Sequence, residues 1–379
     1  MSFSALRTIE TVPDWQGQVV LVRGSLNVPV RDGVVTSDFR LQQLLPTLRY
    51  LMERNARVVL VGHIGREPEE SLYPVFEALQ ARLPITWGGS HQTHTAASVR
   101  DLLQPGDVVL FENLRQYPGE TANDPAFAAE LARLADAYVN DAFANMHREH
   151  ASMVGVPAQL PAYAGLHVAT EVTALHAAQQ PASPSIFILG GAKFTTKIQL
   201  VEQYLAVYDE LFIGGALAHD VLRARGYEIG QSLVSDVAGA AVPFLTDERI
   251  QVPVDVVVAR ADGTQATVAT TDVAPTDVIF DCGPATVAFL QERIKVAQTV
   301  LWNGPLGNFE AGYRAGTEAV ATAVADSAAA SYVGGGDTVA AIAAIARDQD
   351  FTFISTGGGA MLAYLEHGTL PALVPLLQS

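Results

Sequence analysis

The feature that most constrains the fold is an alternation of short apolar runs with longer stretches of helical pattern, repeated along all 379 residues. The apolar runs are rich in β-branched residues, and several lack the polar alternation of a half-exposed strand. Such runs are typical of parallel strands that helices cover on both faces. The alternation therefore predicts a doubly wound α/β architecture, in which ligands bind at the carboxyl ends of the strands. The predicted strands are residues 18–22, 57–62, 107–111, 184–189, 210–214, 252–258, 277–281, 299–302, 331–333 and 351–355.

The predicted helices and the length of the chain indicate two domains. Helical patterns occur at residues 37–53, 126–135, 164–178 and 313–325. Two domains are expected because 379 residues are more than one hydrophobic core usually holds. From the residue pattern alone, the best boundary is the polar, proline-marked segment 179–184 (QQPASP).

Composition and charge argue against several classes of protein. The net charge of −17 argues against nucleic acid or an anionic membrane as the main partner. The N-terminal residues carry charges and lack the pattern of a secretory signal, and no apolar stretch reaches the roughly 18 residues of a membrane span. The single cysteine, Cys282, has no partner for an intrachain disulfide and fits a reducing cytosol. We expect Cys282 in the core rather than acting as a nucleophile.

Lysine is rare in this chain, and two of the three lysines lie in one glycine-opened stretch. Lys193 and Lys197 follow Gly190 and Gly191 directly after the predicted strand 184–189, and Lys295 is the third. A strand, a glycine turn and a helix start direct free backbone N–H groups at a phosphate, and an anion between two lysines relieves their mutual repulsion. The stretch therefore favours a phosphate site, and the alternative is a pair of solvated lysines on a helix.

The first half of the chain places arginines and histidines at or near the ends of predicted strands. Arginine binds carboxylate and phosphate through paired N–H bonds, so several at one sheet edge predict a basic pocket for a small, multiply anionic molecule. For any single arginine the alternative is a surface ion pair. The pair His147 and His150 is weak evidence for a metal, because no third ligand accompanies it. The basic set comprises Arg23, Arg40, His63, Arg66, Arg115, His147 and Arg148.

The second half carries further glycine loops that open predicted helices. These are GGGDT at 334–338 and STGGG at 355–359, and together with the lysine stretch they predict a nucleotide site. A single glycine run, by contrast, could be only a tight turn. Asp337 is placed to hold Mg²⁺ beside a phosphate, and the segment 302–310 (WNGPLGNFE) offers groups for a ribose and a base. The chain has neither a G-x-x-x-x-G-K-[ST] nor a G-x-G-x-x-G motif, so neither a P-loop enzyme nor a nicotinamide dehydrogenase is indicated.

These motifs occur in the order and spacing of the phosphoglycerate kinase family, which the chain resembles over essentially its whole length. The first-half fragments are RGSLNVP (23–29), GHIGR (62–66), ENLR (112–115), NDAF (140–143) and HREHAS (147–152). The second-half fragments are GGAK (190–193), WNGPLG (302–307), GGGDT (334–338) and STGGGA (355–360).

The resemblance implies an enzyme that moves a phosphoryl group reversibly between 1,3-bisphosphoglycerate and ADP, giving 3-phosphoglycerate and ATP in glycolysis and gluconeogenesis. It implies two Rossmann-like domains joined by a hinge helix, with a cleft between them. Residues 1–168 are the implied glycerate domain, with the tail 362–379 packing back on it, and residues 169–361 the implied nucleotide domain. The resemblance also implies Mg²⁺, a cytoplasmic monomer with hinge closure, and small-molecule substrates rather than nucleic acid or membrane as partners.

The resemblance assigns roles to individual residues. The implied glycerate contacts are Arg23, Ser25, Asn27, Arg40, His63, Arg66, Arg115, His147 and Arg148. The implied nucleotide contacts are Gly191, Ala192, Lys193, Lys197, Gly215, Asn303, Pro305, Glu310 (at the ribose), Gly335, Gly336, Asp337, Thr338, Gly357, Gly358 and Gly359. The implied catalytic residues around the transferring phosphoryl group are Arg40, Lys197, Gly336 and Gly359, and the implied metal ligand is Asp337.

Four residues depart from the pattern of the family. Ser25 stands where the family usually has aspartate beside the glycerate, and Leu26 where it usually has phenylalanine. On the nucleotide side, Thr196 replaces an aspartate and Asn308 replaces an apolar residue. Ser25 leaves open a relative that phosphorylates a different small carboxylate.

An alternative of another class is a protein that binds nucleotide but no longer catalyses a reaction. The intact residues Arg40, Lys193, Lys197 and Asp337 argue against it.

Overall fold

The chain forms two compact units. The structure is a computed structural model that describes residues 6–192, 197–235 and 247–378. Unit 1 comprises Met1–Thr173 and His367–Ser379, and unit 2 comprises Ala174–Glu366. The division falls within a helix, and the proline-marked segment 179–184 belongs to unit 2.

The described residues of unit 1 form one large parallel sheet, a small hairpin and the helices around them. The strands are β1 (Val19–Gly24), β2 (Val30–Arg31), β3 (Val34–Val35), β4 (Arg57–Val61), β5 (Thr86–Gly89), β6 (Val108–Phe111), β7 (Ala137–Asp141) and β8 (Ala162–Ala164). The helices are α1 (Phe39–Glu53), α2 (Tyr73–Gln80), α3 (Ala96–Leu102), α4 (Pro118–Thr121), α5 (Pro125–Ala132) and α6 (Leu166–Ala178), which continues into unit 2. Short 3₁₀ turns lie at Ile9–Thr11, His91–Thr93, Leu114–Gln116, Phe143–Asn145 and Val374–Leu376, and a π-helical turn at Ala151–Gly155.

The order of the strands in the unit 1 sheet is β5-β6-β4-β1-β7-β8, and every pairing in it is parallel. From β1 the chain adds β4, then the edge strand β5 and then β6 between them, and it returns to add β7 and β8 on the other side of β1. The order therefore reverses between β1 and β7, which is the point where open α/β sheets bind ligands.

Helix α1 illustrates how the sequence covers a face of this sheet. Leu41, Leu44, Leu48 and Leu51 recur at helical spacing and are at most 1% exposed. They pack in one hydrophobic cluster with alternate residues of the neighbouring strands, such as Val20. Burial of each leucine stabilises the unit by about 2 kcal/mol before entropic costs.

The described residues of unit 2 form a second parallel sheet and a smaller antiparallel one. The strands are β9 (Ser185–Leu189), β10 (Glu210–Ile213), β11 (Ile250–Gln251), β12 (Asp255–Ala259), β13 (Gln265–Ala269), β14 (Val278–Cys282), β15 (Thr299–Asn303), β16 (Ala330–Gly334) and β17 (Phe353–Ile354). The helices are α7 (Ile198–Leu205), α8 (Ala216–Ala224), α9 (Pro284–Val296), α10 (Ala315–Asp326), α11 (Gly336–Ala344) and α12 (Gly358–His367). Short 3₁₀ turns lie at Thr270–Asp272 and Asp348–Asp350.

The parallel sheet of unit 2 has the order β11-β10-β9-β15-β16-β17. This is the strand order of dinucleotide-binding folds, with the reversal between β9 and β15. The prediction of two doubly wound parallel sheets is thus confirmed. The predicted helices 37–53, 126–135, 164–178 and 313–325 are also present, as α1, α5, α6 and α10.

Two predicted strands belong to a different sheet from the one expected. Segments 252–258 and 277–281 were expected to belong to the parallel sheet, but β12 and β14 pair antiparallel with each other, and β12 pairs antiparallel with β13. The apolar runs predict burial but do not encode strand direction. Strands β2, β3, β5, β7, β8, β11 and β13 were missed. Strands β2, β3 and β11 have only two residues each, β5 and β8 are short edge strands, β7 ends in polar residues, and β13 has no buried residue.

None of the helices in the described part of the chain is long and apolar enough to span a membrane.

The carboxylate of Asp255 joins β12 to the start of α9. Its oxygens accept hydrogen bonds from the backbone N–H groups of Ala285 (2.9 Å) and Thr286 (2.7 Å) and from the Thr286 hydroxyl (2.7 Å). We expect Asp255→Ala to lower the free energy of unfolding by about 2 kcal/mol, because the cap is buried and the N–H groups are left unpaired. Chemical denaturation measures this. In the control Asp262→Ala, which alters an exposed turn, the midpoint should not move; equal losses in both variants would contradict the cap.

Candidate functional site

Arg23 is the centre of the basic set of unit 1, at the carboxyl end of β1. Its side chain is fully buried. The guanidinium donates hydrogen bonds to Ser152 Oγ (3.0 Å), the carbonyl of Gly24 (2.5 Å) and Nδ1 of His63 (2.8 Å). Among the described residues it forms no ion pair with a carboxylate. Burial lowers the pKa of Arg23, and the more distant Glu120 opposes that effect. A buried cation without a contacting carboxylate favours binding of an external anion.

His63 follows β4 and lies directly against Arg23. Because its Nδ1 accepts from the guanidinium, the ring proton is on Nε2, which is buried and has no partner among the described residues. Burial, and then the positive charges of Arg23, Arg115 and Arg148, lower the pKa of His63 far below its usual value. His63 is therefore a neutral hydrogen-bond donor inside a cluster of positive charges.

The loop after β4 is held by two side chains, Asn27 from the loop after β1 and Arg115 from the turn after β6. Asn27 Oδ1 accepts the N–H of Gly65 (3.0 Å), and the Arg115 guanidinium donates to the carbonyl of Gly65. Gly65 has a φ of +64°, and a Cβ there would meet the Glu70 carboxylate. The Asn27 carbonyl also accepts a hydrogen bond from Arg40 (2.6 Å). Asn27 thus connects Arg40 of α1 with the cluster around His63.

The remaining predicted residues of unit 1 lie around this cluster. The structure brings Arg23, His63, Arg115 and Arg148 within range of mutual repulsion, since each of the three arginines lowers the pKa of His63. Ser25 is 1% exposed, and its hydroxyl has no partner within the described residues. His147, Arg148 and Arg40 are half-buried, whereas Arg66 is exposed.

Two buried glutamates near the basic set were not predicted. Glu120 accepts hydrogen bonds from the N–H (2.9 Å) and the hydroxyl (2.6 Å) of Ser152, which in turn accepts from Arg23. Glu171 of α6 raises the pKa of Arg40, although burial of Arg40 lowers it more. Nothing in the sequence pattern separates these two glutamates from the exposed ones, because their positions depend on tertiary contacts.

In unit 2 the turns after the parallel strands touch one another through glycine backbone. A Cβ on Gly190 would lie 2.2 Å from the carbonyl oxygen of Pro305, and one on Gly304 would lie 2.5 Å from that of Gly190. Similarly, a Cβ on Gly358 would lie 2.8 Å from the Cα of Gly335. Side chains cannot fit between these turns, so their peptide groups form the edge at which the strand order reverses.

Several glycines of these turns also need a left-handed backbone. Gly215 precedes α8 with a φ of +59°, and Gly335 precedes α11 with a φ of +107°. Gly336 and Gly359 are exposed in the first turns of α11 and α12. The N–H groups of a first helical turn have no partner within the helix, so these positions suit a phosphate.

Lys197 is the described lysine of the predicted phosphate stretch, while Lys193 lies outside the described residues. The Lys197 ammonium donates to the carbonyl of Gly190 (2.9 Å) at the start of α7. Burial lowers the pKa of Lys197 to about 8. The ammonium is therefore mostly protonated at neutral pH and lies beside the glycine turn.

Asp337 and Glu310 supply negative charge near these turns. Asp337 lies in the first turn of α11, and burial, followed by repulsion from Glu310, raises its pKa. No group of three or more potential metal-ligating side chains occurs in the described parts of the chain. Mg²⁺ usually takes only one or two carboxylates together with phosphate oxygens and water. Asp337, with the Glu310 carboxylate close enough to repel its charge, therefore suits such a cation.

The other predicted nucleotide residues have contacts within the protein. Thr338 is buried, and its hydroxyl accepts the N–H of Gly304 (3.1 Å). Asn303 is 4% exposed, and its amide contacts the Met361 sulfur at 3.6 Å. Gly357 donates its N–H to the Ser355 hydroxyl (3.2 Å).

A cavity of about 380 Å³ lies beside these turns within unit 2. Its wall is formed by one face of α8, by β12 and β14, and by the loop after β15. Predicted site residues that line it are Gly191, Ala192, Gly215, Pro305, Glu310 and Asp337. Lining residues that were not predicted include Ala216, Ala218, His219, Leu222, Val256, Ile279 and Asp281. Cys282, predicted in the core, is buried at this wall, and burial raises the pKa of its thiol.

Comparisons with known proteins agree on one family. A family model described as phosphoglycerate kinase matches residues 9–368. A phosphoglycerate kinase of Rubrobacter xylanophilus is 43% identical over 376 residues, covering 95% of this chain and 96% of the relative. One of Zymomonas mobilis is 41% identical over 397 residues, covering 98% of this chain and 99% of the relative.

Solved structures give the same result. The structure of phosphoglycerate kinase from Coxiella burnetii matches with a TM-score of 0.84 and 36% identity, covering 98% of both chains. The crystal structure of phosphoglycerate kinase from Pyrococcus horikoshii also has a TM-score of 0.84, with 30% identity and 98% coverage of both chains.

The arrangement around His63 predicts its protonation state. We expect the ring to stay neutral with its proton on Nε2 from about pH 5 to about pH 8, because burial and three arginines lower its pKa. The ¹⁵N shifts of labelled histidine measure this directly. Arg148→Ala should raise the pKa of His63 by removing a nearby positive charge, whereas Arg31→Ala, in the exposed β2–β3 hairpin, should not. Titration of His63 near pH 6.5 in the natural protein would contradict the arrangement.

Proposed function

The chain belongs to the phosphoglycerate kinase family, and from that premise we propose how its own residues divide the reaction. The enzyme transfers a phosphoryl group between 1,3-bisphosphoglycerate and ADP, giving 3-phosphoglycerate and ATP in glycolysis. In our proposal unit 1 binds the glycerate and unit 2 binds the nucleotide. The observation that carries the proposal is that unit 1 gathers a buried arginine and two half-buried ones around His63, whereas unit 2 offers backbone N–H groups beside an apolar cavity.

The glycerate half of the proposal follows from the charges in unit 1. 3-Phosphoglycerate has a carboxylate and a phosphate, and guanidinium groups bind both through paired hydrogen bonds. Arg23 is fixed by Ser152 and His63, and Arg115 is fixed by Gly65, so the positive charges are already oriented before an anion arrives. Such preorganisation reduces the cost of ordering side chains on binding.

The nucleotide half follows from the turns of unit 2. Phosphates suit the first turns of α11 and α12, where Gly336 and Gly359 are exposed, while the base suits the apolar part of the cavity. Asp337 would hold Mg²⁺, which when bound supplies positive charge between the phosphates. Glu310, exposed at the rim, is placed to accept hydrogen bonds from a ribose.

Phosphoryl transfer requires in-line placement and positive charge more than covalent chemistry. In the direction of ATP use the attacking group is the carboxylate of 3-phosphoglycerate, which is already ionised and needs no general base. We propose that Arg40 from unit 1 and Lys197 from unit 2 stabilise the charge on the moving phosphoryl group. Bringing both onto one group calls for a hinge closure, which also excludes water from the acyl phosphate.

We also propose that the enzyme works as a cytoplasmic monomer. This rests on the resemblance to the family and on the single, buried cysteine, which fits a reducing compartment. The reaction itself is tested by measuring ATP formation from ADP with 1,3-bisphosphoglycerate and, in parallel, with other small acyl phosphates. A higher rate with another acyl phosphate would contradict the assigned substrate.

Lys197→Ala should lower turnover by about 10²–10³-fold while weakening ADP binding by less than about tenfold. The reason is that the ammonium is expected to act on charge that develops during transfer. Steady-state rates and calorimetric ADP binding measure the two effects. Lys295→Ala is the matched control, since that lysine is exposed in the last turn of α9. Equal losses in turnover and ADP affinity would make Lys197 a ground-state contact.

Ser25→Asp should lower the KM for 3-phosphoglycerate about tenfold and leave kcat nearly unchanged. A hydrogen bond to a charged group contributes about 1.5–3 kcal/mol and a neutral one about 1 kcal/mol, so the carboxylate binds a substrate hydroxyl more tightly. Ser25 is buried beside the basic set, and its hydroxyl has no partner within the described residues. A higher KM in the variant would show a pocket built around serine and would favour a different small carboxylate as substrate.

A further inference from the structure

The cavity of unit 2 differs in chemistry between its two ends. Near Gly191 and Asp337 it is bordered by peptide groups and carboxylates, whereas farther along α8 it is bordered by Leu222, Val256 and Ile279. Lining residues of α8 recur at helical spacing, so one face of this helix forms a continuous wall. If phosphates bind at the glycine turns, as proposed above, the base of the nucleotide enters the apolar end.

His219 is a polar side chain in the α8 wall, one helical turn after Gly215. Its Nδ1 lies 2.7 Å from the carbonyl oxygen of Leu233. A carbonyl only accepts hydrogen bonds, so Nδ1 carries a proton. The ring is 5% exposed, and burial lowers its pKa more than the Leu233 carbonyl and Asp220 raise it. The neutral ring therefore has a lone pair on Nε2.

The Nε2 atom of His219 is available as a hydrogen-bond acceptor. It has no hydrogen-bond partner among the residues that the structure describes. His219 lines the cavity, and because Nδ1 is occupied by the Leu233 carbonyl, Nε2 is the ring nitrogen left to meet a ligand there. Asp281, which lines the same cavity, already accepts the N–H groups of Cys282 (2.9 Å) and Gly316 (3.1 Å).

We propose that His219 Nε2 accepts a hydrogen bond from the exocyclic amino group of adenine and so determines the base specificity of the enzyme. The proposal rests on the placement of the nucleotide given above. A base such as hypoxanthine has a carbonyl at that position. The carbonyl oxygen and His219 Nε2 are both hydrogen-bond acceptors, so neither finds a partner inside the apolar cavity. A buried unpaired group of this kind typically lowers affinity about tenfold or more.

The natural protein permits a first test without mutation. Calorimetry should show that ADP binds about tenfold more tightly than IDP, which has a carbonyl in place of the amino group. Purine riboside diphosphate, which has only hydrogen at that position, should also bind about tenfold more weakly than ADP. Equal affinities for the three ligands would overturn the proposal.

His219→Asn provides the sharper test. Its amide N–H can still donate to the Leu233 carbonyl, but the acceptor in the cavity is lost. The variant should bind ADP about tenfold more weakly than the natural protein and bind IDP no more weakly, so the ADP preference is lost. The control Leu222→Val, on the same wall, should weaken ADP and IDP equally and keep the ratio. An unchanged ADP to IDP ratio in His219→Asn would overturn the role of His219.

A further variant separates this proposal from the placement on which it rests. Ala216→Leu puts a larger, half-buried side chain into the wall of the cavity near its glycine end. If ADP affinity falls by at least about tenfold, the nucleotide occupies the cavity. The comparison of ADP with IDP then tests only the role of His219. If ADP affinity does not change, the nucleotide binds elsewhere, and both the placement and the role of His219 are overturned.

Discussion

The guanidinium of Arg23 is a fully buried positive charge with no contacting carboxylate among the described residues, and the rest of the unit 1 site depends on it. Its bond to Nδ1 fixes the tautomer of His63, and its charge helps to keep that ring neutral. Ser152 orients the guanidinium, and Glu120 accepts a hydrogen bond from the Ser152 hydroxyl. The negative charge of Glu120 also partly offsets the effect of burial on the pKa of Arg23. Burying such a charge costs stability, and an incoming carboxylate or phosphate offsets that cost. The fold thus gives up stability at the place where we propose that the glycerate binds.

In unit 2 the proposed anion site depends on a different constraint, which is the close approach of backbone turns. Gly190, Gly304, Gly335 and Gly358 bring the turns after neighbouring strands into van der Waals contact, so peptide N–H groups replace side-chain cations at this edge. Helix first turns carry only partial positive charge, and Lys197 adds a full one. This smaller positive charge suits a nucleotide, because its phosphates bind together with a cation. The glycerate binds without a cation. In our proposal the two units therefore match the different charge balance of their ligands.

The sequence predicted the architecture well, because continuous apolar runs and glycine turns encode parallel strands and their ends. It did not distinguish β12 and β14 from the parallel strands, since burial is the same for either direction of pairing. From residue type and position at strand ends it predicted Arg23, His63 and Arg115, which the structure brings close together. It could not identify Glu120 or His219, because nothing near them in the sequence differs from an ordinary helix, and their roles depend on partners such as Ser152 and Leu233 that lie elsewhere in the chain.

The most direct test of this account is a titration of histidine-labelled protein with 3-phosphoglycerate alone, followed by ¹⁵N shifts. The account predicts that the Nε2 resonance of His63 shifts and saturates with one Kd. That Kd should weaken as salt is added, because the binding groups are cations. His219, in unit 2, should not respond to this ligand. No change at His63 at saturating ligand, or a response at His219 instead, would contradict the assignment of the glycerate to the buried cations of unit 1.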